Sequence, residues 1–201
     1  MAQLQLLNIA LNPNDVVYTA DWAAQDMVEY FKPSGSILEP CKGGGVFLKY
    51  LPPHTEWCEI EEGKDFFSWH KQVDWCFGNP PYSLFTDWLI HSFEIAENSV
   101  YLIPNNKVFT ASRANKVYRK YGYPCHMRFL GTGKQLGFTF GFDMCAVHFK
   151  RGYFGGMSLS FAERRRTPLA LDGGDSAALQ ALSTPEVLST LQGESTPAHR
   201  K

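Results

Sequence analysis

The stretch Ile37-Leu38-Glu39-Pro40-Cys41-Lys42-Gly43-Gly44-Gly45 reads as a buried strand running into a glycine-rich turn, with residues 46–50 opening the next helix. The same alternation recurs on both sides of it. Upstream, residues 21–30 have helical spacing, with Ala23, Ala24, Met27 and Val28 on one face and Asp21 in the capping position. Downstream, residues 57–60 and 75–77 read as short strands, and 85–96 as a helix carrying Phe85, Trp88, Leu89, Ser92, Phe93 and Ala96 on one side. Residues 99–103 form a strand stopped by Pro104, 113–121 a basic helix, and 126–130 and 144–149 two closing strands. Strands alternating with helices predict an α/β domain: a mostly parallel central sheet with helices on both faces. Such sheets bind ligands at the carboxyl ends of their strands, which directs attention to the loops after residues 38, 60, 77 and 103.

Composition sets the bounds. The chain has 201 residues, a formal charge of −1 and five cysteines, which excludes collagen-like, disordered and disulfide-scaffold classes. No apolar run reaches the length of a membrane span, and the N-terminus has no signal-peptide pattern. The cysteines form no C-x-x-C pair, and reduced core thiols in a cytoplasmic protein are the expectation. Cys125, His126, Cys145 and His148 do not have metal-ligand spacing. Aromatic residues stop at Phe161. The expected organisation is therefore a folded domain over residues 1–155 and a flexible tail over 162–201.

The near-zero charge is a sum of opposites. Residues 1–98 carry 5 Lys/Arg and 14 Asp/Glu, and residues 99–201 carry 14 and 6. Between Lys107 and Arg151 nine basic residues stand against one acid, Asp143. Either two solvated faces differ in sign, or the second half meets a polyanion.

Four motifs carry chemistry. The glycine turn exposes backbone N–H groups beside Glu39 and Lys42, a mixed setting suited to a zwitterionic ligand, although such a turn also serves as plain punctuation. It lacks the Gly-Lys-Ser/Thr of a phosphate loop. Glu59, in Cys58-Glu59-Ile60-Glu61, falls at the second strand end, where an acid can accept two hydrogen bonds from a ribose diol; taken alone, a solvated acidic turn of Glu59, Glu61 and Glu62 is the favoured reading. Asp65-Phe66 pairs an acid with an aromatic ring, as an adenine amino group and ring face would require. Most specific is Asn79-Pro80-Pro81-Tyr82, directly after Gly78. An aryl or amide nitrogen is a poor nucleophile because its lone pair is delocalised. The Asn79 side-chain carbonyl and the Pro80 backbone carbonyl can accept both of its N–H bonds, on a loop stiffened by two prolines, while Tyr82 stacks on the flat substrate.

With these residues in order, the chain resembles the S-adenosylmethionine-dependent amino-group DNA methyltransferases, specifically adenine-N6 enzymes, over residues 16–149. Asn79, Pro80, Pro81 and Tyr82 look like the family's catalytic tetrapeptide. The resemblance implies a Rossmann-like methyltransferase fold and S-adenosyl-L-methionine as cofactor. Cofactor binding would fall to Tyr18, Thr19, Glu39, Pro40, Gly43, Gly45, Glu59, Ile60, Asp65, Phe66 and Asn79. It further implies transfer to the N6 amino group of a flipped adenine in DNA, without a metal, in a cytoplasmic enzyme of bacterial, prophage or phage origin. The chain departs from the family pattern after Phe149, where nothing is large enough for the usual recognition domain, and in the short interval from Glu59 to Asp65.

On this reading the basic half meets phosphates. Lys107, Arg113, Lys116, Arg119 and Lys120 are candidate backbone contacts. Lys134 and Phe140, in the glycine- and phenylalanine-rich segment 131–142, are candidates for a loop that wedges into the duplex; a hairpin with core aromatics is the equal alternative. Enzymes methylating RNA adenine or a protein glutamine amide share the Asn-Pro-Pro-Tyr chemistry and stand as second and third readings.

Overall fold

The computed structural model describes residues 19–139 and 141–163. Over that range α1 (Asp21–Phe31) leads into β1 (Ile37–Glu39), β2 (Glu56–Trp57), β3 (Val73–Gly78), α2 (Phe85–Ile95) and β4 (Ala96–Pro104). A helical stretch follows, made of α3 (Ala111–Arg113), a π turn (Ala114–Tyr118) and α4 (Arg119–Tyr121). The chain then forms β5 (Pro124–Thr132), β6 (Asp143–Lys150) and β7 (Ser158–Phe161). All seven strands join one sheet in the order β2-β1-β3-β4-β6-β5-β7. Only the β4–β6 and β5–β6 pairings are antiparallel, so six strands run one way and β6 the other.

Strand alternation sorts the core into two layers. Leu38, Cys76, Tyr101, Ile103, Cys145 and Val147 face α2 and the helical stretch, meeting Phe85, Trp88, Leu89, Phe93 and Val117. Their neighbours Ile37, Phe77, Val100, Leu102 and Ala146 face α1, meeting Ala23, Ala24, Met27 and Val28. Burying each large side chain stabilises by about 1.5–3 kcal/mol. The expected α/β architecture with helices on both faces is therefore the observed one.

Several local expectations differ. Asp21 does not cap α1; Ala20 occupies that position, and the Asp21 carboxylate accepts from Lys49 Nζ at 2.8 Å and from the Tyr50 hydroxyl. The helix expected from residue 46 is a single turn, Phe47–Lys49, because Pro52 and Pro53 follow within a turn and disfavour helical backbone before them. The second strand is only Glu56–Trp57, and Ile60–Glu62 is a turn. The helix expected at 113–121 begins earlier, at Ala111, where Thr110 accepts from the Arg113 N–H. β7 was not expected as a strand. Ser158 and Ser160 share the face of His126 and Arg128 and bond to them, while Leu159 and Phe161 lie exposed on the other face, so the strand has no apolar buried side. Of the tail expected over 162–201, Ala162 is tied to β5, its N–H donating to Phe129 O at 2.8 Å, and residues 164–201 lie outside the described residues.

Candidate active site

The chain runs from β1 out to the edge strand β2 and returns to β3 on the other side of β1. This reversal opens a crevice over the carboxyl ends of β1 and β3, where doubly wound sheets bind their ligands. Glu39 closes β1 at that point. It is fully buried, and neither carboxylate oxygen has a hydrogen-bond partner among the described residues. Burial pushes its carboxyl up to about 8; Lys42 pulls against that shift and Glu59 adds to it. A buried carboxyl without a donor is costly unless a ligand supplies one.

The glycine turn wraps this crevice. Gly43 and Gly45 adopt left-handed backbone (φ +50° and +73°), which side chains rarely tolerate. Glu59 holds the turn from β2's side, accepting from Gly43 N–H at 2.6 Å and Glu61 N–H at 3.3 Å. Lys42 pairs with Glu62 and lies 4.0 Å over the Trp57 ring, with Lys64 at 3.3 Å from the same ring centroid. Asp65 lines a cavity of about 230 Å³ with Trp57, Cys58, Lys64 and Trp69. Its carboxylate also accepts from Phe67 N–H at 3.0 Å, capping a short turn.

At the end of β3, Gly78 lies against the β1 loop: a Cβ there would meet Cys41 Sγ, Pro40 Cδ and Glu39 Cγ at 3.5, 3.6 and 3.7 Å. The Cys41 thiol donates to the Asn79 carbonyl at 3.1 Å. Desolvation and the nearby Glu39 raise its pKa, which keeps it a donor. The Asn79 side chain is held at both ends. Its Nδ2 donates to Thr19 Oγ1 at 3.1 Å, and its Oδ1 accepts from the Tyr82 hydroxyl at 2.8 Å. Cys41 was read from sequence as a core thiol; its one signal was its place between Glu39-Pro40 and the glycine turn. The Tyr82–Asn79 bond had no sequence signal beyond adjacency.

No family model and no curated protein matches the chain in sequence. Among solved structures, it is similar to the modification subunit of a type I restriction enzyme from Vibrio vulnificus YJ016, with TM-score 0.53, 12% identity, and 89% of this chain covering 53% of that one. It is similar to a class I S-adenosylmethionine-dependent methyltransferase from Listeria monocytogenes, with TM-score 0.52, 11% identity, and 90% of this chain covering 69% of that one. A structure of a type I restriction–modification system matches at TM-score 0.50 and 10% identity, over 74% of this chain and 46% of that one. The chain has the Rossmann-like fold of class I methyltransferases. It spans about half the length of the type I subunit from Vibrio vulnificus.

Within this fold the structure brings Thr19, Glu39, Pro40 and Asn79 into one cluster, with Gly43 tied to it through Glu59. Ile60 presents a half-exposed apolar side chain (52%) beside Glu59. Two expectations are corrected. Phe66 is no exposed ring face: it is 2% exposed and packs on Trp88 at 4.4 Å, with His91 and Phe67 around it. Arg113 is no surface phosphate contact. It is 6% exposed, donates to the Lys107 carbonyl and lies 4.9 Å from the Phe85 ring centroid, because the backbone before the helical stretch needs an internal donor. Lys107, Lys116, Arg119, Lys120 and Lys134 are exposed. Segment 131–142 is not a simple hairpin: Thr132 and Gln135 form a capping box, Phe138 is buried and Phe142 is exposed. Tyr18 and Phe140 lie outside the described residues.

Proposed function

We propose that the protein transfers a methyl group from S-adenosyl-L-methionine to the N6 amino group of adenine in DNA. One observation carries this reading: Asn79-Pro80-Pro81-Tyr82 leaves β3 at the sheet's switch point, against a buried glutamate that lacks a hydrogen-bond donor.

The residues present fit the cofactor. Its ammonium and sulfonium charges suit the crevice next to Glu39, whose orphaned oxygens need donors. Glu59 would take the ribose hydroxyls, since an ionised carboxylate has acceptor sites beyond the two used for Gly43 and Glu61. Ile60 would pack on the adenine face, and Asp65, which lines the adjoining cavity, would accept from its amino group. When bound, the cofactor supplies an electrophilic methyl on a sulfonium.

The rest is positioning. Asn79 Oδ1 and the Pro80 carbonyl accept the two N–H bonds of the target amine and favour a lone pair localised on nitrogen. The target nitrogen keeps its hydrogens until after transfer, so acceptors are required and a strong base is not. Tyr82 has to release Asn79 Oδ1 before it stacks on the base, so substrate entry exchanges one hydrogen bond for another. An adenine in a duplex must leave the stack to reach this loop.

The test is expression in a host free of adenine methylation, with modified bases mapped in both DNA and RNA. N6-methyladenine in DNA that disappears with Asn79→Ala is the expected result. Methyl groups confined to RNA would move the substrate to the second reading.

A further inference from the structure

The loop after β4 holds a group of residues that the proposed reaction leaves unused, and its construction is unusual. Gly78, the last residue of β3, pairs with Tyr101, and β4 then continues to Pro104 alongside β6. Three more residues of strand carry the chain about 10 Å beyond the level at which the catalytic loop begins. The loop therefore stands one strand over from Asn79 and further out from the sheet, at the same end.

Internal groups fix its backbone. The buried Arg113 donates to the Lys107 carbonyl, and the buried Tyr118 hydroxyl donates to the Val108 carbonyl. Val108 is fully buried, Val108 N–H donates to Asn105 O at 3.1 Å, and Thr110 Oγ1 accepts from Arg113 N–H. A buried guanidinium is an expensive way to hold a turn, and its cost is visible: desolvation lowers the Arg113 pKa, and its Nε has no partner among the described residues. What this frame displays is chemically specific. Asn105, Asn106 and Lys107 are exposed, and Phe109 is 60% exposed although its neighbour Val108 is sealed in the core.

Phe109 turns away from this display: it lines a mostly apolar surface cavity of about 260 Å³ with Tyr118, Pro124 and Met157, and Pro124 opens β5 at the end of the sheet opposite Asn79. The helical stretch that follows the loop carries the basic face. Lys116 and Lys120 are exposed on the same helical stretch. Asparagine amides match the donor–acceptor pair on an adenine edge, and lysines neutralise phosphates. Lys107, Lys116, Arg119, Lys120 and Lys134 are exposed, so the surface complements a polyanion.

We propose that loop 105–107 reads the DNA bases flanking the target adenine, with Asn105 and Asn106 on base edges and Lys107 on a phosphate. The inference rests on the DNA reading above. It assigns base recognition to a pinned loop of the catalytic domain itself.

The experiment maps methylated adenines in DNA from a methylation-free host expressing wild type, the pair Asn105→Ala/Asn106→Ala, Phe109→Ala, or the pair Lys116→Gln/Lys120→Gln. Steady-state rates on matching oligonucleotides accompany the maps. All the replaced side chains are exposed, so cofactor affinity and melting temperature report that each variant is folded. Wild type is expected to prefer particular flanking bases, and the asparagine pair to flatten that preference by about tenfold. Phe109→Ala, whose ring lines the cavity beside Pro124, is the control and is expected to keep the flanking preference. The lysine pair is expected to weaken all sequences alike and leave the preference intact. An unchanged flanking preference in the asparagine variant, or none in wild type, overturns the assignment while leaving DNA methylation standing. A wild-type protein that methylates no DNA overturns the reading on which it rests.

Discussion

The two rims of the crevice handle charge in opposite ways. On the β1–β2 side, four carboxylates are internal or engaged by partners. Glu39 is buried without a donor, Glu59 ties down Gly43, Glu62 pairs with Lys42 and Glu56 with Lys71. On the β4–β5 side, Lys107, Lys116, Lys120 and Lys134 stand in solvent, and the two arginines that are buried serve the fold. Arg113 holds the loop before the helical stretch; Arg128 binds Asp26 through two bonds, at 2.7 and 2.9 Å, and fastens α1 to β5. A site for one small cation needs a few desolvated anions of fixed geometry. A surface for a polyanion needs many solvated cations and little precision. On the proposed reading, the formal charge of −1 averages two surfaces that meet different partners.

The largest effect that would break this division is at its centre. Asn79→Ala should reduce methyl transfer by about a thousandfold, as removal of a preorganised polar group does, while cofactor affinity by calorimetry stays nearly constant. Equal activity in that variant would remove the assigned chemistry. Next comes Glu39→Gln, which should weaken cofactor binding by about a hundredfold because it deletes one partner of a buried charge pair.

The same carboxyl sets a pH dependence of about tenfold per unit. With its carboxyl raised from the ordinary 4.5 to about 8, folded Glu39 keeps a proton that the unfolded chain has released. The ligand-free protein therefore loses stability as pH rises from about 4.5 to about 8, because the folded state binds more protons there. A cationic ligand selects the ionised form, so its affinity should climb with pH and level off near 8, with proton release visible in buffers of different ionisation enthalpy. Melting temperatures of Glu39→Gln should lack the wild-type decline over that window.

How far these rims were legible in the sequence follows from the kind of signal each used. Strand-to-loop junctions at Glu39 and Gly78 were legible because apolar runs, glycines and prolines act locally. The buried faces of the helices at 21–30 and 85–96 were legible from their spacing. Phe66 was not, because an aromatic after an acid looks alike whether its ring faces a ligand or Trp88, and α2 decides that from a distance. Arg113 was counted with the exposed bases because its neighbours Lys116, Arg119 and Lys120 are exposed. Its burial depends on Phe85 and on the Lys107 carbonyl, contacts no spacing encodes. β7 escaped because neither of its faces is buried: Leu159 and Phe161 are exposed on one, and its serines bond His126 and Arg128 on the other.

The smallest expected effects sharpen the second rim, by separating solvated charge from buried charge of the same sign. Replacing Lys116, Arg119 and Lys120 together with glutamine should lower the slope of log affinity against log salt by about two to three, since each phosphate contact contributes about 0.9. Melting should hardly move, as all three are exposed. Arg113→Met should do the opposite. The guanidinium is desolvated and already lacks one partner, so methionine keeps the apolar stem against Phe85 and removes a charge that burial penalises. It also removes the donor to the Lys107 carbonyl, and the net loss should be about 1–3 kcal/mol of stability, with the salt slope for DNA unchanged. A slope reduced by about one in Arg113→Met would put this arginine on a phosphate after all, and the division between internal and solvated charge would have to be redrawn at the loop before the helical stretch.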